Sequence, residues 1–342
     1  MPCGLFTYSI WIWFDFCLYF ITLKLECFFM YWIIPASFFM LHTAFAQKQN
    51  LDEALWTGPL LASNPTAIPK GHFYAEPYLI DSGNLGRYDA DWNLHTSKAQ
   101  HAFVSSTLLE YGLTDRLTIE ALPAFTYVDG QRSSDGLRLA DSRLRAMFMF
   151  SQYQLGAPWP TMAVAIAQSF PLGRYKNLDN PANGTGQGAY RTTFSFYAQS
   201  YLWMPNGRIL RVRLNINHDL YVSSPRLQGQ TSFGTPEGFD GKAHLGKLSG
   251  IILGFEYSLT KHWVPALDLA FNQTEHGDIN GKIGSQKMMR QPIGESLSFV
   301  VAPALEYNWN ARFGVIGGVF ATVAGKRSTF EVSPQFAISM LF

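Results

Sequence analysis

Glu110-Tyr111-Gly112-Leu113-Thr114-Asp115-Arg116-Leu117-Thr118-Ile119-Glu120 decides the fold. It reads as the end of one strand, a tight turn and the start of the next, with Gly112 and Thr114-Asp115 supplying turn chemistry. The Glu-Tyr-x-Leu-Thr pattern returns at Glu256-Tyr257-Ser258-Leu259-Thr260, before Lys261-His262-Trp263. A looser copy is Glu306-Tyr307-Asn308-Trp309-Asn310-Ala311-Arg312-Phe313, and shorter echoes fall at Gln152–Gly156 and Met204–Gly207. Each copy joins two strand-like runs, and between the copies lie longer polar stretches. Alternation of short turns with long loops is the rhythm of a membrane β-barrel.

Working outward, strands are expected at 71–82, 96–111, 117–129, 140–155, 161–172, 189–204, 208–222, 245–260, 263–276, 295–309, 313–324 and 328–342. Short connections fall at 112–116, 156–160, 205–207, 261–262 and 310–312; longer ones at 83–95, 130–139, 173–188, 223–244 and 277–294, with 325–327 a short exception. The expected fold class is therefore all-β, a transmembrane antiparallel β-barrel of about 12 strands of the bacterial outer-membrane type, its short turns periplasmic and its long loops external. In 208–222, Leu210, Val212, Leu214, Ile216 and Leu220 share one parity and Arg211, Arg213, Asn215, Asn217 and Asp219 the other. A one-residue slip would put arginines into lipid at roughly 2–4 kcal/mol each near the midplane, so the register is firmly specified. The last strand alternates likewise, Phe330, Val332, Phe336, Ile338, Met340 and Phe342 opposing Glu331, Ser333, Gln335 and Ser339. Ala146–Phe150 is apolar on both parities and its faces stay unassigned.

Aromatic and charged residues each make up 15% of the chain and the net charge is +1. A nucleic-acid partner would need a basic face, and none is expected. Cys3, Cys17 and Cys27 all lie in residues 1–46, which end in Ala44-Phe45-Ala46 before Gln47, a signal-peptidase pattern. Met30–Leu41 is an apolar core of signal length. Leu5–Leu23 nears the ~20 residues of a membrane helix, but its scarcity of positive flanks favours an extension upstream of the true start. Residues 47–70, with Pro59, Pro65 and Pro69, read as an extended periplasmic lead-in, and 71–342 as the barrel.

The stretch Ser169-Phe170-Pro171-Leu172-Gly173-Arg174-Tyr175, followed by Asn180-Pro181-Ala182-Asn183-Gly184-Thr185-Gly186-Gln187-Gly188, together with the Glu110–Arg116 turn and its echoes, resembles the outer-membrane transporter family associated with the meta pathway of phenol degradation. The resemblance runs from about Gly71 to Phe342. It implies a signal peptide, a single barrel and an outer-membrane address, and it carries no catalytic residues. It implies passage of small solutes, hydrophobic or aromatic ones among them. The terminal Phe342 resembles the signature that outer-membrane proteins present to the barrel-assembly machinery, so the expected partners are that machinery, outer-membrane lipids and a small-molecule solute.

No motif points to a cofactor or a metal. Asn180–Gly188 lacks the Lys-Ser/Thr of a phosphate-binding loop, and the eight histidines show no paired metal spacing. A lipid-modifying enzyme is the third-choice function: such barrels pair a strand His with a Ser two residues on, whereas Asp219-Leu220 follows His218. A non-conducting structural or surface-display barrel is the second choice. The aromatics beside the short turns, Tyr111, Tyr153, Tyr201, Trp203, Tyr257, Trp263, Tyr307, Trp309 and Phe313, suit an interfacial girdle. If the turn tyrosines point to lipid, Glu110, Glu256 and Glu306 point inward, joined by Glu120 and Asp268 from the following strands. The expected site is an acidic ring inside the periplasmic mouth, with Arg211 and Arg213 slightly higher. Such charges either pair within a partly hydrated lumen, the favoured reading, or line an open pore.

Overall fold

A computed structural model describes residues 47–128, 136–285 and 287–342. The expected signal segment 1–46 lies outside the described residues, as does most of the loop at 130–139. The strands are β1 (Phe73–Tyr88), β2 (Leu94–Thr114), β3 (Leu117–Leu122), β4 (Ala124–Val128), β5 (Leu137–Leu139), β6 (Ser142–Ser151), β7 (Thr161–Phe170), β8 (Arg191–Trp203), β9 (Ile209–Val222), β10 (Arg226–Gln228), β11 (Phe239–His244), β12 (Leu248–Tyr257), β13 (Trp263–Thr274), β14 (Gly277–Ile283), β15 (Lys287–Ile293), β16 (Ser296–Asn310), β17 (Phe313–Lys326) and β18 (Thr329–Leu341). Fourteen of them form one antiparallel sheet that closes on itself where β1 pairs with β18 on one side and β2 on the other. Two staves of the wall are split, β3/β4 at Pro123 and β5/β6 at Ala140-Asp141, so the barrel has twelve staves and no free edge to solvate in lipid.

The splits have local causes. Pro123 has no N–H to give the ladder; its carbonyl accepts from Thr107 N at 3.1 Å, and Ala124 N turns to Ser142 Oγ at 3.4 Å. Asp141 leaves the ladder to hold the external loop: its carboxylate accepts from Gly173 N at 3.0 Å and Gln187 N at 2.8 Å. A Cβ on Gly186 would sit 2.3 Å from Asp141 Oδ1, and one on Gly173 would sit 2.4 Å from Thr185 O. The glycines of that loop are therefore needed for close approach, not for phosphate.

Strand parity separates two environments. In β9, Ile209, Arg211, Arg213 and Asn215 are buried inward, while Ile216 and Leu220 are exposed outward, where lipid would cover them. The doubly apolar stretch of β6 resolves the same way: Met147 and Met149 face in, Phe148 and Phe150 out.

Three expectations need correction. The connection 83–95 shrinks to 89–93, because β1 and β2 continue upward as a tall hairpin. The stretches 223–244 and 277–294 are not simple loops. They build a second sheet, order β10-β11-β14-β15, packed on Leu227, Phe239, Ala243 and Ile279, with Tyr175 and Phe233 against it. Above all, 47–70 is not a periplasmic lead-in: it enters the barrel, because the buried polar groups of the inner wall need partners and its backbone supplies them.

Candidate functional site

The segment 49–71 rises through the lumen and returns. It starts at the periplasmic turns, where Trp203 Nε1 donates to Gln49 O at 2.9 Å and Gln49 Oε1 accepts from Ser258 Oγ at 2.5 Å and Ile209 N at 3.3 Å. Leu55 N donates to Lys261 O. Thr57 N donates to Glu306 Oε2 at 2.7 Å, and Thr57 Oγ1 bonds Asn308 Oδ1 at 2.8 Å. Halfway up, Leu61 N and Ala62 N both donate to the Asp268 carboxylate, at 2.9 and 3.3 Å. At the crest, Ser63 N and O engage the Asn215 side chain at 2.6 and 3.2 Å. The descent bonds Ile68 N to Thr118 Oγ1 at 2.9 Å and Gly71 N to Gly112 O at 2.8 Å, then enters β1.

Residues 54–69 carry no charged side chain, so the segment answers the wall's carboxylates with peptide N–H groups, a charge-assisted bond stronger than a neutral one. Its apolar side chains dock on inward apolar patches: Ala67 with Met147, Met149, Ala163, Ala165 and Tyr197, and Leu60 with Ala302, Ile316 and Ala337. An apolar patch inside an outer-membrane barrel has no reason to exist unless something apolar lies against it. That was the signal available in Ala146–Phe150.

All seven charged residues singled out from sequence point inward, but they do not form an open ring. Arg211 holds Glu256 through two bonds, Nε–Oε2 at 2.7 Å and a second from its terminal nitrogen, while Arg213 Nε lies 3.2 Å from the same carboxylate. Arg213 also donates to Ala62 O at 2.7 Å, and Arg211 stacks 4.5 Å from the Trp56 ring. Glu306 and Asp268 are taken by the plug amides. Glu120 pairs with Arg145, which lies 3.7 Å from Glu110 and donates to Tyr197 Oη at 2.8 Å and Ser63 Oγ at 3.1 Å. Arg143 approaches Glu120 at 3.6 Å. The physical reason is solvation: a carboxylate largely enclosed by plug and wall has little water to face, so each one collects a cation or an amide. Arg145, Arg143, Glu76, Asn215 and Asn308 were not singled out from sequence. Their inward parity was legible, but nothing marked Arg145, Asn215 and Asn308 as plug contacts.

The plug does not fill the lumen. Along β1, β2 and β18 it leaves a cavity of about 740 Å³. At the upper end it is bounded by Ser82, Phe320 and Glu331; at the lower end it reaches Ser339, Leu341 and the 310–313 turn. Its wall mixes Ile80, Val104, Leu108 and Leu122 with Ser106, Gln335, Glu76 and Glu110. Of the seven sequence candidates, Glu110, Glu120 and Arg213 touch it, whereas Arg211, Glu256, Asp268 and Glu306 do not.

The girdle residues divide. Trp263, Tyr307, Trp309 and Phe313 pack in a row of tilted and T-shaped contacts on the outer surface, with ring centroids 4.7–4.9 Å apart, as an interfacial belt should. Tyr201 instead lies 6.5 Å from the plug's Trp56 and 5.3 Å from Tyr153, and Trp203 anchors Gln49, so these two serve the plug. Phe342 pairs with Phe73 at the seam, N to O at 2.8 Å and back at 3.2 Å, and its ring stays exposed. His218 Nδ1 lies 2.8 Å from Ser249 Oγ on the outward face, a cross-strand pair with no acid or amide on the other ring nitrogen among the described residues. Among the described residues no cluster of His, Cys, Asp or Glu could hold a metal.

Closed antiparallel staves, lipid-facing apolar parity and an aromatic belt define a β-barrel of the bacterial outer membrane. An outer-membrane channel from Pseudomonas putida F1 is similar, with a TM-score of 0.60 at 16% identity over 82% of this chain and 98% of that one. The β domain of a Bordetella autotransporter, BrkA, aligns with a TM-score of 0.42 at 11% identity over 80% and 100% of the two chains. The Pseudomonas putida toluene transporter TodX aligns at 0.38 and 12% over 87% and 94%. At these identities the first likeness establishes the fold and the others add nothing to it. No protein-family model and no curated protein matches the chain.

Proposed function

We propose that the protein is a passive channel of the outer-membrane transporter family associated with the meta pathway of phenol degradation, and that solute moves along the off-axis passage between the plug and the β1–β2–β18 wall. The observation that carries this reading is the cavity itself. It lies beside the plug, its lining reaches from Glu331 to the 310–313 turn, and its wall has apolar and polar sides. Such a lining suits a small molecule with an apolar body and a polar edge, a phenol-like aromatic for example, better than a hydrated ion. The seven inward charges are then scaffolding for the plug, save the three that touch the passage.

The rival is a closed scaffold displaying its external sheet, favoured by the plug's many direct bonds to the wall. Reconstituted protein separates the two. A channel admits phenol-sized solutes into proteoliposomes, and Ser106→Trp, which puts an indole into the passage, abolishes that uptake while the barrel still folds. Uptake equal to that of empty liposomes in the native protein would leave the scaffold reading standing. Release of fatty acid from phospholipid, lost in Ser249→Ala, would instead make the His218–Ser249 pair a hydrolase and displace both.

A further inference from the structure

The extracellular sheet has a packed face and a free one. Leu227, Phe239, Ala243 and Ile279 point to its core, so the alternate residues point away. The register lines those up across all four strands. Arg226 stands opposite Lys242, Lys242 opposite Asn280, and Asn280 opposite Arg290. The neighbouring row runs Gln228, Asp240, Lys282, Met288. Four cations thus share one face with two aspartates. Asp240 is committed to Arg226, at 2.9 and 3.2 Å, and that bond holds its carboxyl below the usual range. Asp278 is committed to His244 at 2.8 Å and faces Arg290 at 3.7 Å. Lys242 and Lys282 are exposed and have no carboxylate within ion-pair reach among the described residues.

Like charges directly opposite across a sheet destabilise it, and Arg226 against Lys242 is such a pair. Asp240 offsets the Arg226 side, and an external anion against Lys242 would offset the other. The row spans about 14 Å at ordinary strand spacing, wide enough to meet more than one phosphate. The long loops of an outer-membrane barrel stand among the sugars and phosphates of the outer leaflet. We propose that this face docks lipopolysaccharide, with Lys242, Lys282 and Arg290 taking its phosphate groups. The partner is chosen by charge and place: the face carries unpaired cations, and lipopolysaccharide is the phosphate-bearing lipid of the leaflet from which an external sheet of such a barrel rises.

The test uses the full-length folded barrel in detergent and purified rough-chemotype lipopolysaccharide. Lys242 and Lys282 are exposed and unpaired, so Lys242→Gln and Lys282→Gln leave the fold intact, which unchanged heat-modifiable mobility checks. Each should weaken binding about fivefold, as expected for one cation beside an anionic lipid surface, and the double variant more. Native affinity should fall as salt rises, since the contacts are exposed. Lipopolysaccharide stripped of its phosphates should bind native protein as weakly as the double variant binds the intact lipid, and the two losses should not add. Lys261→Gln, at the periplasmic turns, should change nothing. Equal binding of the dephosphorylated lipid, or an unchanged affinity in the double variant, overturns the proposal. So does heparin binding tighter than lipopolysaccharide with the same lysine dependence, which would assign the face to another polyanion.

Discussion

Along β9, β12, β13 and β16 the lumen is filled, and along β1, β2 and β18 it is open. The filled side presents Arg213, Asn215, Asp268, Glu306 and Asn308 to the plug, each within hydrogen-bond reach of its backbone or, for Asn308, also of Thr57 Oγ1. The open side presents Ile80, Val104, Leu108 and Ser106 to the cavity together with Glu76, Glu110 and Gln335, none of which bonds the plug backbone among the described residues. Both sides follow the same inward parity. What differs is the partner: on the filled side the polar groups bond the plug's backbone, and on the open side Glu110 is answered from the wall by Arg145. A barrel of this size has little interior to spare, so where the plug docks decides where open space remains.

Arg145 is where the two sides meet, and changing it should have the largest effect. It joins Glu120, Glu110, Tyr197 and the plug's Ser63. Arg145→Met leaves two largely buried carboxylates without their shared cation, and breaking a buried pair from one side costs about 3–5 kcal/mol. Thermal unfolding of the detergent-folded barrel should show the midpoint falling sharply, and adding Glu120→Gln should recover part of the loss. A midpoint unchanged by Arg145→Met would mean that water reaches this cluster and the filled side is wetter than its contacts imply.

The next effect is steric. A Cβ on Gly254 would lie 2.8 Å from Ala62 Cβ and 3.2 Å from Pro59 Cγ, so Gly254→Leu cannot coexist with the docked plug. Gly112 does the same from the other end, where a Cβ would meet Pro69 O at 2.2 Å and Ile68 O at 2.4 Å. Gly254→Leu should make 49–69 protease-sensitive in folded barrels and raise single-channel conductance severalfold, because the filled side joins the open one. Protease resistance at the native level would show that the plug can settle beside a leucine.

Gly112 also shows how far the sequence could be read. It was legible as a turn glycine in a repeated turn, and the turn is there. Its second duty, admitting the backbone of 68–69, was not, because that contact is between segments with no shared pattern. The staves were legible wherever one face meets lipid and the other does not, as in 208–222 and 328–342. The plug was hidden because 47–70 has neither period: its prolines and Gly58 forbid a ladder, and its order comes from side chains that lie about 50 to 250 residues away. The external sheet was hidden by size, its strands running from three to seven residues and separated by the whole of β12 and β13. For the site, parity put Glu110, Glu120, Arg211, Arg213, Glu256, Asp268 and Glu306 on the inside, yet it could not say which of them touch solvent, since that depends on the plug.

A milder change probes one plug bond. Asp268→Asn keeps the shape and lets the amide oxygen accept from Leu61 N and Ala62 N, but turns charge-assisted bonds into neutral ones, a loss of about 1 kcal/mol. Arg213 still holds Ala62 through its carbonyl, and Asn215 still holds Ser63. The plug should stay in place and its backbone amides exchange hydrogen about fivefold faster. Exchange as fast as in Gly254→Leu would mean that Asp268 alone secures the segment.

The smallest effect discriminates between the two sides most cleanly. Glu331 lines the upper end of the passage, where it accepts from Ser82 Oγ at 2.9 Å and from Ser333 Oγ and faces no arginine among its bonded neighbours. Glu306 is fully buried, bonded to the plug amide of Thr57 and out of contact with the cavity. If solute ions follow the passage, only a carboxylate in contact with it can set their sign preference. Glu331→Gln should therefore move the reversal potential under a salt gradient toward anion preference, and Glu306→Gln should not. The Glu331 shift should shrink as ionic strength rises, since the Debye length falls from about 10 Å at 0.1 M to about 3 Å at 1 M. The reverse result, a shift with Glu306→Gln and none with Glu331→Gln, would mean that ions run through the side now assigned to the plug, and that the passage along β1, β2 and β18 is a dead end.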